Sequence, residues 1–276
     1  MTQNINFQKN IPSGFTKLDE MTAGWRPGDF VIIAGRPSMG KSGFALSAAR
    51  NMILDSDCGV AFFSLEMPEW LVMKRIVYAE TELDRNKIPC TKHEWKQLNS
   101  KITELFDAPL YIDDTPALSV SEFREKCLQL IQENNIRVAI IDYLQLMMWR
   151  SDKNISRGQQ ISNISRSLKA IACELNITVI ALSQLQKRAN RRPVLSDLSD
   201  ENIAQYADVV TFIHRPEYYC IGKDSEGNTL RGVAEIIIAK NRNGILGDVR
   251  LIFKKQFCKF VEPETTIPAL TAEIEN

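Results

Sequence analysis

"FVIIAGRPSMGKS" occupies residues 30–42. A β-branched apolar run feeds straight into G-x-x-x-x-G-K-[ST], and the helix-like "SGFALSAARNMIL" follows. Strand, glycine loop and helix in that order make a phosphate-holding loop. Gly35 and Gly40 let the backbone turn its N–H groups toward a phosphate at the positive end of the helix. Gly35, Arg36, Pro37, Ser38, Met39, Gly40, Lys41, Ser42 and Gly43 are therefore the expected cradle for the phosphates of a bound nucleotide. Lys41 would reach the β- and γ-phosphates, and Ser42 would ligate Mg²⁺. A glycine turn could match the pattern by chance, but both flanks here are the required ones.

Outward from this loop, short apolar runs alternate with helical patterns. "VAFFSL" (60–65), "LYIDD" (110–114), "VAIIDYL" (138–144) and "TVIALS" (178–183) show little period-2 alternation, as strands buried on both faces do. In "SVSEFREKCLQLIQENN", Ser119 and Glu122 read as a capping box, with Val120, Phe123, Cys127, Leu130 and Ile131 on one stripe. "GQQISNISRSLKAIACELN" repeats the arrangement with Ile161, Ile164, Leu168, Ile171 and Leu175. Alternating elements predict βαβ units and an α/β fold with a mostly parallel twisted sheet and helices on both faces. After about residue 207, "DVVTFIHRP", "GVAEIIIAKN" and "GDVRLIFKKQFCKFVEP" are joined by turn-rich loops. These predict an antiparallel C-terminal edge with at least one hairpin. The expected organisation is a tail at 1–10, one domain at 11–262 and a frayed tail at 263–276.

The chain has 276 residues, with 34 basic and 34 acidic, so bulk charge selects no polyanionic partner. Cys58, Cys90, Cys127, Cys173, Cys220 and Cys258 form no C-x-x-C pair, and only His93 and His214 could join them. Reduced cysteines, no zinc site and a cytoplasmic chain are expected. No apolar run approaches the roughly 18 residues of a membrane span, and "MTQNINFQKN" lacks a signal peptide's apolar core.

Asp142 closes the apolar strand "VAIID", the end of an α/β strand where ligands bind, and would hold the magnesium shell. Glu66 in "FFSLEM" ends the strand after the phosphate-loop helix, a place from which a carboxylate can face a γ-phosphate and activate water. Gln184 in "ALSQ" could sense that phosphate. Either residue alone could equally be a solvated strand end.

"GRPSMGKS", "FFSLEM", "IIDYLQLM" and "ALSQLQ" together resemble the RecA-like motor domain of replicative DNA helicases of the DnaB family. "IPSGFTKLDEMTAGWRPGD", "ADVVTFIHRPEYY" and "EIIIAKNRNGILGDVRLIF" extend the likeness over roughly residues 11 to 262. The resemblance implies a RecA-like P-loop NTPase that hydrolyses ATP with Mg²⁺. It further implies a homo-hexameric ring moving 5′→3′ on single-stranded DNA during replication, with a helicase loader as a further partner. It makes Glu66 the catalytic carboxylate, Gln184 the γ-phosphate sensor, and Lys240 and Arg242 of "AKNRNG" the pair reaching into a neighbour's site, Arg242 being the arginine finger. Without a partner, those two are a charged hairpin.

Three departures qualify the likeness. The phosphate loop begins near residue 35, so the family's separate N-terminal domain and linker helix are expected to be absent, which puts stable hexamerisation and a primase contact in question. The expectation is a motor cut from a longer protein or a naturally minimal relative. "SDLSDENIAQYAD" lacks the Arg and Gly of the family's DNA loop, while upstream "QKRANRRP" gathers Lys187, Arg188, Arg191 and Arg192 as candidate DNA contacts. Ser42 stands where Thr is usual, and either hydroxyl serves. Two other readings stay open: a filament-forming recombination or repair ATPase, and a motor-derived nucleotide-binding module that no longer unwinds.

Overall fold

The computed structural model describes residues 10–82, 91–149, 155–185, 191–198 and 201–263. The tails expected at the two ends, and Lys187 and Arg188, lie outside these residues except for 10 and 263. The described strands form one nine-stranded sheet, ordered β3-β2-β4-β5-β1-β6-β7-β8-β9. They are β1 (Phe30–Gly35), β2 (Gly59–Ser64), β3 (Leu110–Asp113), β4 (Ile136–Asp142), β5 (Thr178–Gln184), β6 (Val209–His214), β7 (Val233–Asn241), β8 (Gly247–Lys254) and β9 (Lys259–Val261). From β3 through β6 neighbours run parallel, and β7, β8 and β9 add antiparallel pairs. The fold is the mostly parallel α/β sheet with an antiparallel C-terminal edge that the sequence predicts.

The absent period-2 alternation has a plain cause. Val31 and Ile33 of β1 face one core with Phe62, Ile140 and Leu182, whereas Phe30, Ile32 and Ala34 face another with Phe63, Ile141 and Ala181. Both sides of the sheet are covered, so every position of β1 and β2 is buried. Each large side chain so enclosed contributes about 1.5–3 kcal/mol.

The helices are α1 (Thr16–Thr22), α2 (Lys41–Asp55), α3 (Glu69–Thr81), α4 (Lys92–Asp107), α5 (Val120–Asn134), α6 (Arg157–Leu175) and α7 (Glu201–Tyr206). Ser119 caps α5 as a full capping box with Glu122, and Asn135 in the left-handed region ends it. Its stripe packs on the second core through buried Phe123 and Cys127, with Val120, Leu130 and Ile131 beside them. Ser156 caps α6 by accepting from Gln159 N, and Asn176 closes it in the same left-handed way as Asn135. Among the described residues no helix is long and apolar enough to cross a membrane.

Candidate active site

Register brings the chemistry together. Gly35 pairs with Gln184 across β1 and β5, and Ser64 pairs with Asp142 across β2 and β4. In the order β2-β4-β5-β1, the carboxyl ends that carry Glu66, Asp142, Gln184 and the phosphate loop therefore lie along one edge. Ser64 Oγ donates to Met67 O at 2.6 Å, which fixes the turn presenting Glu66, and Leu65 N donates to Asp142 O at 2.9 Å. Glu66 and Gln184 are exposed at this edge.

The loop between β1 and α2 is braced from beneath. Gly40 adopts φ +94°, and a Cβ there would meet the Phe260 ring at 3.1 Å, so only glycine gives the loop this path. Arg215 Nη1 donates to Ser38 O at 3.3 Å, and its guanidinium lies 4.2 Å from the Phe253 ring centroid. Arg36 does not line the cleft over this loop: buried, it donates through Nη1 to Arg191 O at 2.7 Å and to Tyr219 Oη at 3.2 Å. Only its backbone is left to the cradle.

An open cleft of about 310 Å³ sits over the loop, with Lys41, Ser42, Glu66, Asp142 and Gln184 in its walls. Burial pushes the Lys41 ammonium below its ordinary range, while Asp142 and Glu66 pull it back up. Burial raises the Asp142 carboxyl, Ser42's hydrogen bond lowers it, and Glu66 adds to the rise. Asp142 Oδ2 is buried with no hydrogen-bond partner. A buried carboxylate oxygen without a partner beside a hydroxyl is half of a hard-cation site. Among the described residues no three His, Cys, Asp or Glu side chains gather into a self-sufficient metal cluster. Mg²⁺ binds through one or two protein oxygens and completes its shell with phosphate and water. The donors thus suit a magnesium–polyphosphate ligand.

Lys240 and Arg242 are far from this cleft. Lys240 pairs with Val210, which pairs with Ile32, and Asn241 is level with Val31. Arg242 is therefore near the amino ends of the parallel strands, about 17 Å down the strand axis from Gly35 at 3.3 Å per residue. Lys240 Nζ donates to Ala204 O at 2.5 Å and Arg242 Nη2 to Gln205 O at 2.8 Å, both at the carboxyl end of α7. Of the candidate DNA contacts, Arg191 pairs with Asp197 at 2.9 Å, and Arg192 with Glu235 at 3.0 Å and Asp248 at 2.5 Å.

Arg75, Tyr143, Phe253 and Cys258 also line the cleft and were not singled out from sequence. Tyr143 directly follows Asp142, and that adjacency was a usable signal. Arg75 carries none beyond its helix following Glu66. Phe253 and Cys258 arrive from the last hairpin, more than 200 residues along the chain, where no local pattern marks them.

The family model for the DnaB-like helicase C terminal domain matches residues 10–262. Replicative DNA helicase DnaB of Geobacillus stearothermophilus is 44% identical over 262 residues, covering 92% of this chain and 57% of that protein. Replicative DNA helicase DnaC of Bacillus subtilis (strain 168) is 43% identical over 262 residues, with the same two coverages. The chain thus spans little more than half the length of these relatives. The solved "ATPase Domain of G40P" superposes with a TM-score of 0.83 at 39% identity, covering 93% of each chain. "The Structure Of A DnaB-Like Replicative Helicase And Its Interactions With Primase" gives the same TM-score and identity over 95% of this chain and 64% of that one. By the family model matched over residues 10–262 and by these identities, this chain belongs to the DnaB-like helicase C-terminal domain family.

Proposed function

We propose that the chain is an ATP-hydrolysing DNA helicase motor of about residues 11–262. It acts at interfaces between copies of itself and moves 5′→3′ along single-stranded DNA in replication, in the cytoplasm. The observation that carries this reading is the position of Lys240 and Arg242, at the opposite edge of the sheet from their own phosphate loop. A cation so placed completes a site only in a neighbour.

The loop amides and Lys41 hold the phosphates of ATP. Ser42 and Asp142 hold Mg²⁺, which when bound supplies Lewis-acid stabilisation of charge on the phosphoryl oxygens. Glu66 holds the attacking water and takes its proton, and Gln184 meets the terminal phosphate. Arg242 of the adjacent copy stabilises charge on the transferring group, commonly worth about 10³ to 10⁵ in rate. Turnover then depends on where the neighbour sits, and this dependence converts hydrolysis into ordered movement around a hexameric ring. A helicase loader is a further partner under this reading.

Steady-state hydrolysis with and without single-stranded DNA tests it. Lys41→Ala and Arg242→Ala chains should each be inactive alone and regain DNA-stimulated turnover when mixed, because mixed interfaces pair an intact loop with an intact finger. No recovery on mixing, or full turnover by a monomer, rejects shared sites. A second reading, a nucleotide-binding module that no longer moves DNA, is favoured by the ion pairs that occupy Arg191 and Arg192. DNA-independent binding without turnover would select it.

A further inference from the structure

The ladder between β4 and β5 stops at Ile141 and Ala181, three residues short of Gln184. Beyond it, one side chain takes the missing strand's place. After Asp142 the chain makes a 3₁₀ turn, Leu144–Leu146, pinned by fully buried Leu144. From this turn Gln145 lays its amide along β5. Its Oε1 accepts from Gln184 N at 3.2 Å, and its Nε2 donates to Gln184 O at 3.3 Å and to Ser183 Oγ at 2.9 Å. On the other side, Leu185 N donates to Gly35 O at 3.1 Å. Successive residues of a strand present their backbone groups to opposite neighbours, so residue 185 belongs to β1 and residue 184 is left to Gln145.

The turn is itself tied down. Arg157, the first residue of α6, donates through Nη2 to Gln145 O at 2.8 Å and to Met147 O at 3.2 Å. Its Nη1 donates to Gln160 Oε1 at 2.6 Å. A two-point amide clamp on the N–H and C=O of one residue fixes where that residue's side chain leaves the backbone, and an anchored turn makes the clamp rigid.

We propose that Gln145 is the positioning residue for Gln184, holding its side chain toward the terminal phosphate and joining it mechanically to the strand end that carries Asp142. This rests on the reading of Gln184 as the group that meets that phosphate. Gln145 itself touches no substrate.

The experiment uses full-length chain with single-stranded DNA and compares Gln145→Met, Gln145→Glu, Gln184→Ala and the double variant Gln145→Met/Gln184→Ala. Methionine keeps the length and volume but loses every amide hydrogen bond. Glutamate keeps the acceptor for Gln184 N. Gln145→Met should lower kcat for ATP about tenfold with KM for ATP within threefold, and Gln145→Glu should recover part of the loss. Affinity for a fluorescent ADP, which lacks the terminal phosphate, should stay at the wild-type value. The double variant should be no slower than Gln184→Ala, because both changes break one path. Wild-type kcat in Gln145→Met beside a slow Gln184→Ala overturns the proposal. So do multiplicative losses in the double variant, or a parallel loss of ADP affinity, which mark a general structural role. Wild-type kcat in Gln184→Ala removes instead the reading beneath it, and is told apart by that variant alone.

Discussion

Arg242 Nη1 lies 3.1 Å from Asp208 Oδ1, while the other oxygen of that carboxylate accepts from Lys169 Nζ at 2.6 Å and from Phe30 N at 2.8 Å. The pair is lopsided. Asp208's side chain is 5% exposed and Arg242's is 47% exposed. If the guanidinium leaves, the carboxylate keeps an ammonium and a backbone amide. If the carboxylate is removed, the start of β1, the middle of α6 and the end of β7 all lose their shared partner. Arg242 is thus the exposed partner of a buried carboxylate that keeps its other two contacts without it.

This asymmetry separates two substitutions that look alike on a contact map. Arg242→Ala should cost less than about 1 kcal/mol of folding stability, as exposed ion pairs do. Asp208→Ala should cost about 3 kcal/mol, because it strands a buried amide and a partly buried ammonium. Urea denaturation of the two variants checks this, and equal losses would mean that Arg242 is structural.

Asp142, the proposed magnesium ligand, is held in an unfavourable state. Burial holds the folded Asp142 carboxyl above the ordinary value of 3.8, so the folded chain binds that proton more tightly than the unfolded one. Stability from this group is lost as pH rises above the unfolded value, and at pH 7 the ionised form is a standing cost. Asp142→Asn should therefore raise the melting temperature of the nucleotide-free chain at pH 7 while abolishing turnover, with the gain shrinking toward pH 4. Melting curves of both chains at the two pH values test it, and a lower midpoint for the variant at pH 7 would contradict it.

The strands β1 to β5 were readable from local pattern because each is an apolar run between turns, and the Ser119–Glu122 cap was readable because its partners are three residues apart. The same signal in "TKHE" went unread, although Thr91 caps α4 with Glu94. Strand order was not readable. β1 lies between β5 and β6, and crossovers closed over more than 140 residues decide that. The strand-end residues Glu66, Asp142 and Gln184 were legible because a parallel sheet collects its carboxyl ends at one edge. The contacts of Arg36 and Gln145 were not, since both are made to groups distant in sequence. Arg192 read as open only while Glu235 and Asp248 were out of sight, whereas Arg191's partner, Asp197, lies six residues along the chain.

Gly43 has a steric reason that no loop motif supplies. A Cβ there would stand 2.6 Å from Cys258 O, a backbone atom of the β8–β9 turn that cannot rotate away. Gly43→Ala should lose about 1–3 kcal/mol by overpacking. Gly222→Ala, where a Cβ meets nothing within 4 Å, should stay within about 0.5 kcal/mol. Denaturant midpoints of the two variants give the comparison, and an unaffected Gly43→Ala would show the final hairpin to be loosely seated under α2.

His214 makes the acid limit of this fold predictable in sign. Its ring is 3% exposed at the end of β6 and stacks on Tyr219 with centroids 5.3 Å apart and planes 16° apart. Burial pushes its pKa down from 6.5 to about 4, and the charges of Arg192 and Arg36 push the same way. The folded ring is neutral at pH 7. Between pH 6.5 and about 4 the unfolded chain takes up a proton that the folded chain refuses. Stability therefore rises with pH through that window and is lost as pH falls through it, by at most about 1.4 kcal/mol per pH unit for one such group. Asp19, Asp29 and Asp142 are shifted upward and work in the opposite sense, so the bare pH profile mixes both. His214→Phe isolates the histidine, because phenylalanine keeps a ring against Tyr219 and cannot be protonated. Urea midpoints at pH 7.5, 6 and 5 should fall more steeply for the wild-type chain than for His214→Phe. Parallel profiles would mean that the ring finds an acceptor in the folded state and titrates there as freely as in the unfolded chain.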